Sequence, residues 1–153
     1  MIASLLTCSC IVPAPVGDVT ATGGPVLLIN KGKTDPVLTG IVDWAPATNL
    51  ALTFKVQGAI ETSKVTQALR YTWYWDYDPK SGQPLVLFNQ SCADSLCTVF
   101  LCEKATKNAV EHRLLVVVSD GTLRDDPTGP FDFPDGTAFD AVEWQIRRKG
   151  ACP

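Results

Sequence analysis

Histidine occurs once in this chain of 153 residues, at His112, and neither a Gly-x-Ser-x-Gly elbow nor a phosphate-cradling glycine loop accompanies it. A lone imidazole needs a nucleophile and an orienting partner before it can serve as a catalytic base, so this histidine reads as a strand-end or packing residue. Basic residues are also few: 13 Lys and Arg stand against 16 Asp and Glu, for a net charge of −3. Apart from Arg147-Arg148-Lys149 they are scattered, which leaves no electrostatic footprint for nucleic acid, and none is expected as a partner. No convincing helix is visible either, and the one polar stretch that could hold one, Gly58 to Gln67, lacks good caps, so packed helices are not expected to build this core.

What the chain does have is alternation. In Arg70-Tyr71-Thr72-Trp73-Tyr74-Trp75-Asp76-Tyr77-Asp78-Pro79 the aromatics Tyr71, Trp73, Trp75 and Tyr77 fall on every second position. Side chains two apart on a strand share a face, which lays this row on one side and Arg70, Thr72, Tyr74 and Asp76 on the other. The stretch is expected to be a central strand with Trp73 and Trp75 buried and Tyr74 facing outward. Leu50, Leu52, Phe54 and Val56 alternate in the same way, and Val142, Trp144 and Ile146 point inward against Glu143, Gln145 and Arg147.

Val110 to Ser119 is a near-continuous apolar run, as in a strand buried on both faces. Val26–Ile29, Val37–Asp43 behind Pro36, Leu85–Phe88 and Leu96–Leu101 add shorter strands, with Pro36 placed where an edge strand tolerates it. Gly58 to Gln67 reads as a polar crossing, and Thr122 to Gly136 as a long loop rich in Asp, Pro and Gly. A chain of this length holds one core. The pattern predicts an all-β, antiparallel sandwich of about seven strands, Ig-like or fibronectin III-like, over residues 25–153, preceded by an anchor-and-linker segment over 1–24.

Six cysteines beside one histidine point to an oxidising compartment rather than a metal site. Cys92, Cys97 and Cys102 are separated by four intervening residues each, which is not zinc-finger spacing, and a strand between them would aim their sulfurs apart. Four cysteines allow three pairings. Cys92 with Cys97 and Cys102 with Cys152 is the favoured set, closing a short loop and tying down the C-terminal tail.

The N-terminal stretch is small and apolar up to Thr7-Cys8-Ser9-Cys10, and a Pro-rich spacer follows from Ile11 to Gly17. This fits the end of a bacterial lipoprotein signal peptide, in which a cysteine behind small residues becomes the lipidated N-terminus. Cleavage before Cys10 leaves an even set of four downstream cysteines, so Cys10 is the expected anchor; Leu5-Leu6-Thr7 before Cys8 makes Cys8 the alternative.

Two motifs together carry a resemblance: the aromatic strand ending in Asp-Tyr-Asp-Pro, Trp73 to Pro79, and the His-x-Leu-x-Val-x-Val-x-Asp strand, His112 to Asp120. From about Val37 to Cys152 the sequence resembles the Ig-like domains of bacterial surface proteins and, more narrowly, small lipoproteins of myxobacterial type. The resemblance implies a fold and a location, an outer-membrane lipoprotein of the bacterial cell envelope, and brings no activity with it. No cysteine lies in Leu50–Val56 or Leu114–Val118, so the inter-sheet disulfide of an antibody-type domain is missing.

The expectation is therefore a lipid-anchored, non-enzymatic structural or protein-binding subunit of the envelope, held to the membrane by its anchor and partnered by another envelope protein. The alternative is a surface adhesin or carbohydrate-binding module using Tyr74, Phe131 and Phe133, since sugars stack on exposed rings. No cofactor is expected; a weaker candidate is calcium held by the oxygen ligands of Asp76, Asp78, Asp125 and Asp126, although Asp and Pro-Asp-Gly are also ordinary turn formers.

Overall fold

The computed structural model describes residues 24–46, 51–78, 92–100, 102, 109–125 and 127–152. Among them are nine strands: β1 (Val26–Ile29), β2 (Ile41–Trp44), β3 (Ala51–Lys55), β4 (Ile60–Ser63), β5 (Arg70–Trp75), β6 (Cys92–Ala93), β7 (Leu96–Phe100), β8 (Glu111–Ser119) and β9 (Phe139–Arg148). A single 3-10 turn spans Lys31–Lys33. The chain is all-β, as the alternation requires. The strand predicted at Leu85–Phe88, the anchor candidates Cys8 and Cys10, and Asp126 lie outside the described residues.

Three sheets form, with strand orders β2-β9-β8-β5, β3-β7-β6 and β1-β4. The expectation of purely antiparallel pairing is corrected: β2 runs parallel to β9, with Ile41 opposite Gln145 and Trp44 opposite Arg148. These two strands lie at opposite ends of the domain sequence, so no hairpin forces them antiparallel. The excess over seven strands comes from short pieces. β4 sits in the stretch read as a polar crossing; of its own four residues only Ile60 is apolar, and it is held by backbone pairing to β1 from Val26–Ser63 to Ile29–Ile60.

The four-stranded and three-stranded sheets meet through aromatic rings. Trp144 of β9 is fully buried, with the Phe54 ring of β3 at 5.2 Å and the Trp73 ring of β5 stacked at 6.1 Å. Around them Val56, Val99, Leu114, Val116, Val118, Val142 and Ile146 close one cluster, which is consistent with a β-sandwich. Both indoles are satisfied: Trp144 Nε1 donates to the Pro36 carbonyl at 2.8 Å and Trp73 Nε1 to the Asp94 carbonyl at 3.0 Å. Each ring removes some 150–250 Å² from water, about 4–6 kcal/mol of transfer free energy as an upper figure.

The second face of β8 is apolar for a different reason. Leu115 and Val117 lie on the outer side of the four-stranded sheet, where they bury Tyr74 and pack with Tyr77, Phe133 and Ala141. Phe133 belongs to the strap from Leu123 to Gly136, the Asp/Pro/Gly-rich loop, which therefore folds back over its own sheet. The strap closes on itself through Arg124, whose amide donates to the Asp132 carbonyl at 2.9 Å and whose Nε lies 3.1 Å from the Asp132 carboxylate.

Tyr74 is thus corrected: it is 1% exposed, not left facing solvent. Alternation assigned it the right face, and the sequence held no sign that a loop covers that face. Tyr77 breaks its row as well. Asp76 has φ 47°, in the left-handed region, so the extended run stops there and Tyr77 swings to the side of Tyr74, ring centroids 6.2 Å apart.

Candidate functional site

β5 ends and β8 begins at the same edge of the four-stranded sheet, which brings Asp76 to His112. Asp76 Oδ2 lies 2.8 Å from His112 Nδ1, and Asp76 Oδ1 accepts the Arg113 amide at 2.8 Å. The Asp76 amide in turn donates to the Arg113 carbonyl at 2.8 Å. His112 is 5% exposed with the Trp75 ring 4.7 Å away. His112 Nδ1 and the Asp76 carboxylate form a strand-end clamp, beside a groove whose lining among the described residues includes no hydroxyl or thiol.

Beside the clamp lies a groove of about 380 Å³ lined by Ile41, Asp76, Glu111, His112, Arg113, Gln145, Ile146 and Arg147. Register explains its shape. Ile41, Gln145 and Arg113 stand opposite one another across β2, β9 and β8, and Glu111 and Arg147 make the next row toward the sheet end. Between the rows, Ile146 and His112 turn their side chains inward and are buried, so their backbone forms the floor.

The groove's charges are unequally engaged. Arg147 places Nε and Nη2 each 2.8 Å from Asp43 Oδ1, and the Lys149 ammonium lies 2.6 Å from the other oxygen. The Lys149 hydrogen bond, with Arg147 beside it, holds the Asp43 carboxyl below its ordinary range. Asp76 is committed to the clamp. The Arg113 guanidinium, the Glu111 carboxylate and the Gln145 amide have no side-chain partner among the described residues.

Phe131 and Phe133 come together with a third ring that the sequence reading missed. Phe139 stacks with Phe131 at 6.0 Å and with Phe133 at 4.9 Å. Phe131 is 46% and Phe139 42% exposed. The available signal for Phe139 was parity: it shares the outward side of β9 with Glu143 and Gln145. Arg113 was missed likewise, although it is the one charge inside the β8 run that follows His112.

Of the aspartates named for calcium, Asp126 lies outside the described residues, and Asp76, Asp78 and Asp125 form no group. Asp76 serves the clamp, Asp78 and Asp125 are exposed on separate segments, and among the described residues no three His, Cys, Asp or Glu side chains form a group able to hold an ion. Asp132 is engaged within the strap, its carboxyl held below the ordinary range by the Thr128 amide and by Arg124. The cysteines pair as Cys92–Cys97 and Cys102–Cys152. The first pair sits directly across the β6–β7 hairpin, and the second ties the C-terminal tail back to the sheet.

Compared with known protein families, with curated proteins and with solved structures, the chain finds no match.

Proposed function

We propose that the chain is an Ig-like β-sandwich of the bacterial cell envelope, lipid-anchored at Cys10 or Cys8, and that it acts as a non-enzymatic structural or protein-binding subunit. The observation that carries this reading is strand order. In an Ig-type sandwich the first sheet contains B-E-D in sequence and the second G-F-C. Here β3-β7-β6 and β9-β8-β5 follow those orders, with β2 appended parallel to β9. Two cysteine pairs agree with an oxidising compartment. The partner in this reading is another envelope protein.

Fractionation tests the location. The protein expressed with its native N-terminus is expected in the membrane fraction, with a diacylglyceryl mass on Cys10, or on Cys8 if cleavage falls earlier. A soluble product with an unmodified N-terminus would remove the anchor from the proposal.

One observation favours a second reading, a surface adhesin or carbohydrate-binding module: the stack of Phe131, Phe133 and Phe139, two of whose rings are open to solvent. Ring faces of this kind stack on sugars. A glycan array discriminates, since binding that is lost in Phe131→Ala supports the module and an empty array sets it aside.

A further inference from the structure

We infer that the groove between Arg113 and Glu111 is a binding site for a ligand that carries a carboxylate followed, across the sheet, by a polar amide-like group and an apolar group. The inference specifies the contact chemistry of the binding subunit proposed above and rests on that reading.

The register places the recognition elements in one line. Arg113 on β8 stands opposite Gln145 on β9, and Gln145 opposite Ile41 on β2. Neighbouring strands are about 4.8 Å apart, so the line runs about 10 Å from a guanidinium through an amide to an apolar side chain. The Ile41 side is 46% exposed, which leaves it available for contact. The floor is backbone, since His112 and Ile146 are buried beneath it.

Charge bookkeeping selects the anion. Of the two guanidiniums in the groove, Arg147 is held in a fork by Asp43. Asp76 accepts from His112 Nδ1 and from the Arg113 amide, and no ion pair joins its carboxylate to the Arg113 guanidinium among the described residues. Arg113 is thus the cation in the groove with its planar donors uncommitted among the described residues, and a carboxylate matches that fork in two parallel hydrogen bonds. Gln145 can both donate and accept, which suits a peptide-like group. Glu111, two residues along β8 on the same face as Arg113, repels a second anion, so the site takes one carboxylate and not a polyanion.

Two sources share this chemistry: the C-terminal end of an extended peptide and a free N-acylated amino acid. Amide NMR spectra of the full chain, titrated with N-hexanoylglycine and with a longer peptide ending in leucyl-glycine, separate them. Shifts confined to Arg113, Gln145 and Ile41 are expected with the acid forms and not with N-hexanoylglycinamide. Tighter binding of the longer peptide assigns the site to a chain end; equal binding assigns it to a free acid.

Arg113→Gln is expected to weaken the acid by about tenfold or more, the loss of a charge-assisted bidentate contact. Glu111→Gln, which leaves the cation in place, is expected to tighten it. Equal binding of acid and amide, equal binding of inorganic phosphate, wild-type affinity in Arg113→Gln, or no shift in the groove with either acid each overturns the proposal. The Arg113→Gln spectrum away from the groove checks that the fold is intact.

Discussion

His112 Nδ1 lies 2.8 Å from Asp76 Oδ2, and this contact fastens the end of β5 to the start of β8. The Asp76 carboxylate satisfies the buried imidazole and the Arg113 amide at once. Asp76→Ala removes the carboxylate that accepts from His112 Nδ1 and puts Ala at φ 47°, and it is expected to cost about 1–3 kcal/mol. Asp76→Asn keeps an acceptor and tolerates the left-handed backbone, so it is expected to cost less. Urea unfolding at neutral pH ranks the two; an Ala variant as stable as the wild type contradicts the clamp.

The cysteine pairs differ in the chain they close, a sequence separation of 5 for Cys92–Cys97 and 50 for Cys102–Cys152. In the loop-entropy model these closures are worth about 2 and about 4 kcal/mol. The double variant Cys102→Ser with Cys152→Ser is therefore expected to unfold at lower urea than Cys92→Ser with Cys97→Ser. Peptide mapping without reduction checks the pairing itself, and a Cys92–Cys102 or Cys97–Cys152 peptide would refute it.

Asp43 anchors both Arg147 and Lys149, and its carboxyl is held below the ordinary value of 3.8, first by the Lys149 hydrogen bond. A carboxyl lowered in the folded state stabilises the fold fully above its unfolded value and loses that contribution as pH falls through the folded value. Asp43→Asn is expected to lower the urea midpoint at pH 7 only modestly, because the pair is solvent-exposed. The gap between variant and wild type should close as the pH is taken below about 3.9. A gap that persists in acid would assign the effect to packing instead.

The alternation of Phe54, Trp73, Val142, Trp144 and Ile146 was enough to place the core, because a period of two fixes which side chains share a face. The cysteine pairs are the set favoured among three, on short-loop closure and a tied tail. Three things were not legible. The parallel pairing of β2 with β9 depends on contacts between distant segments, and nothing in Ile41–Trp44 alone gives its direction. The strand β4 is held by backbone bonds to β1, which have no side-chain signature. The Arg113–Gln145–Ile41 line exists only once three strands are in register, so Arg113 looked like an isolated charge in an apolar run.

Tyr74 carries the last test. Its hydroxyl is buried beneath the strap with no hydrogen-bond partner among the described residues. Burial, with Tyr77 nearby, pushes its phenol from the ordinary 10.0 up to about 12. A tyrosine raised in the folded state contributes stability that is fully present below pH 10 and is lost as pH rises toward 12. Tyr74→Phe removes a buried hydroxyl with no hydrogen-bond partner among the described residues, so at neutral pH it is expected to be neutral or stabilising by up to about 1 kcal/mol. The same variant should also lose less stability between pH 10 and 12 than the wild type does. Absorbance titration of the phenolates, compared between the two proteins, identifies the late-ionising group. If Tyr74→Phe instead costs stability at neutral pH, the hydroxyl is hydrogen-bonded and the strap packs over it differently.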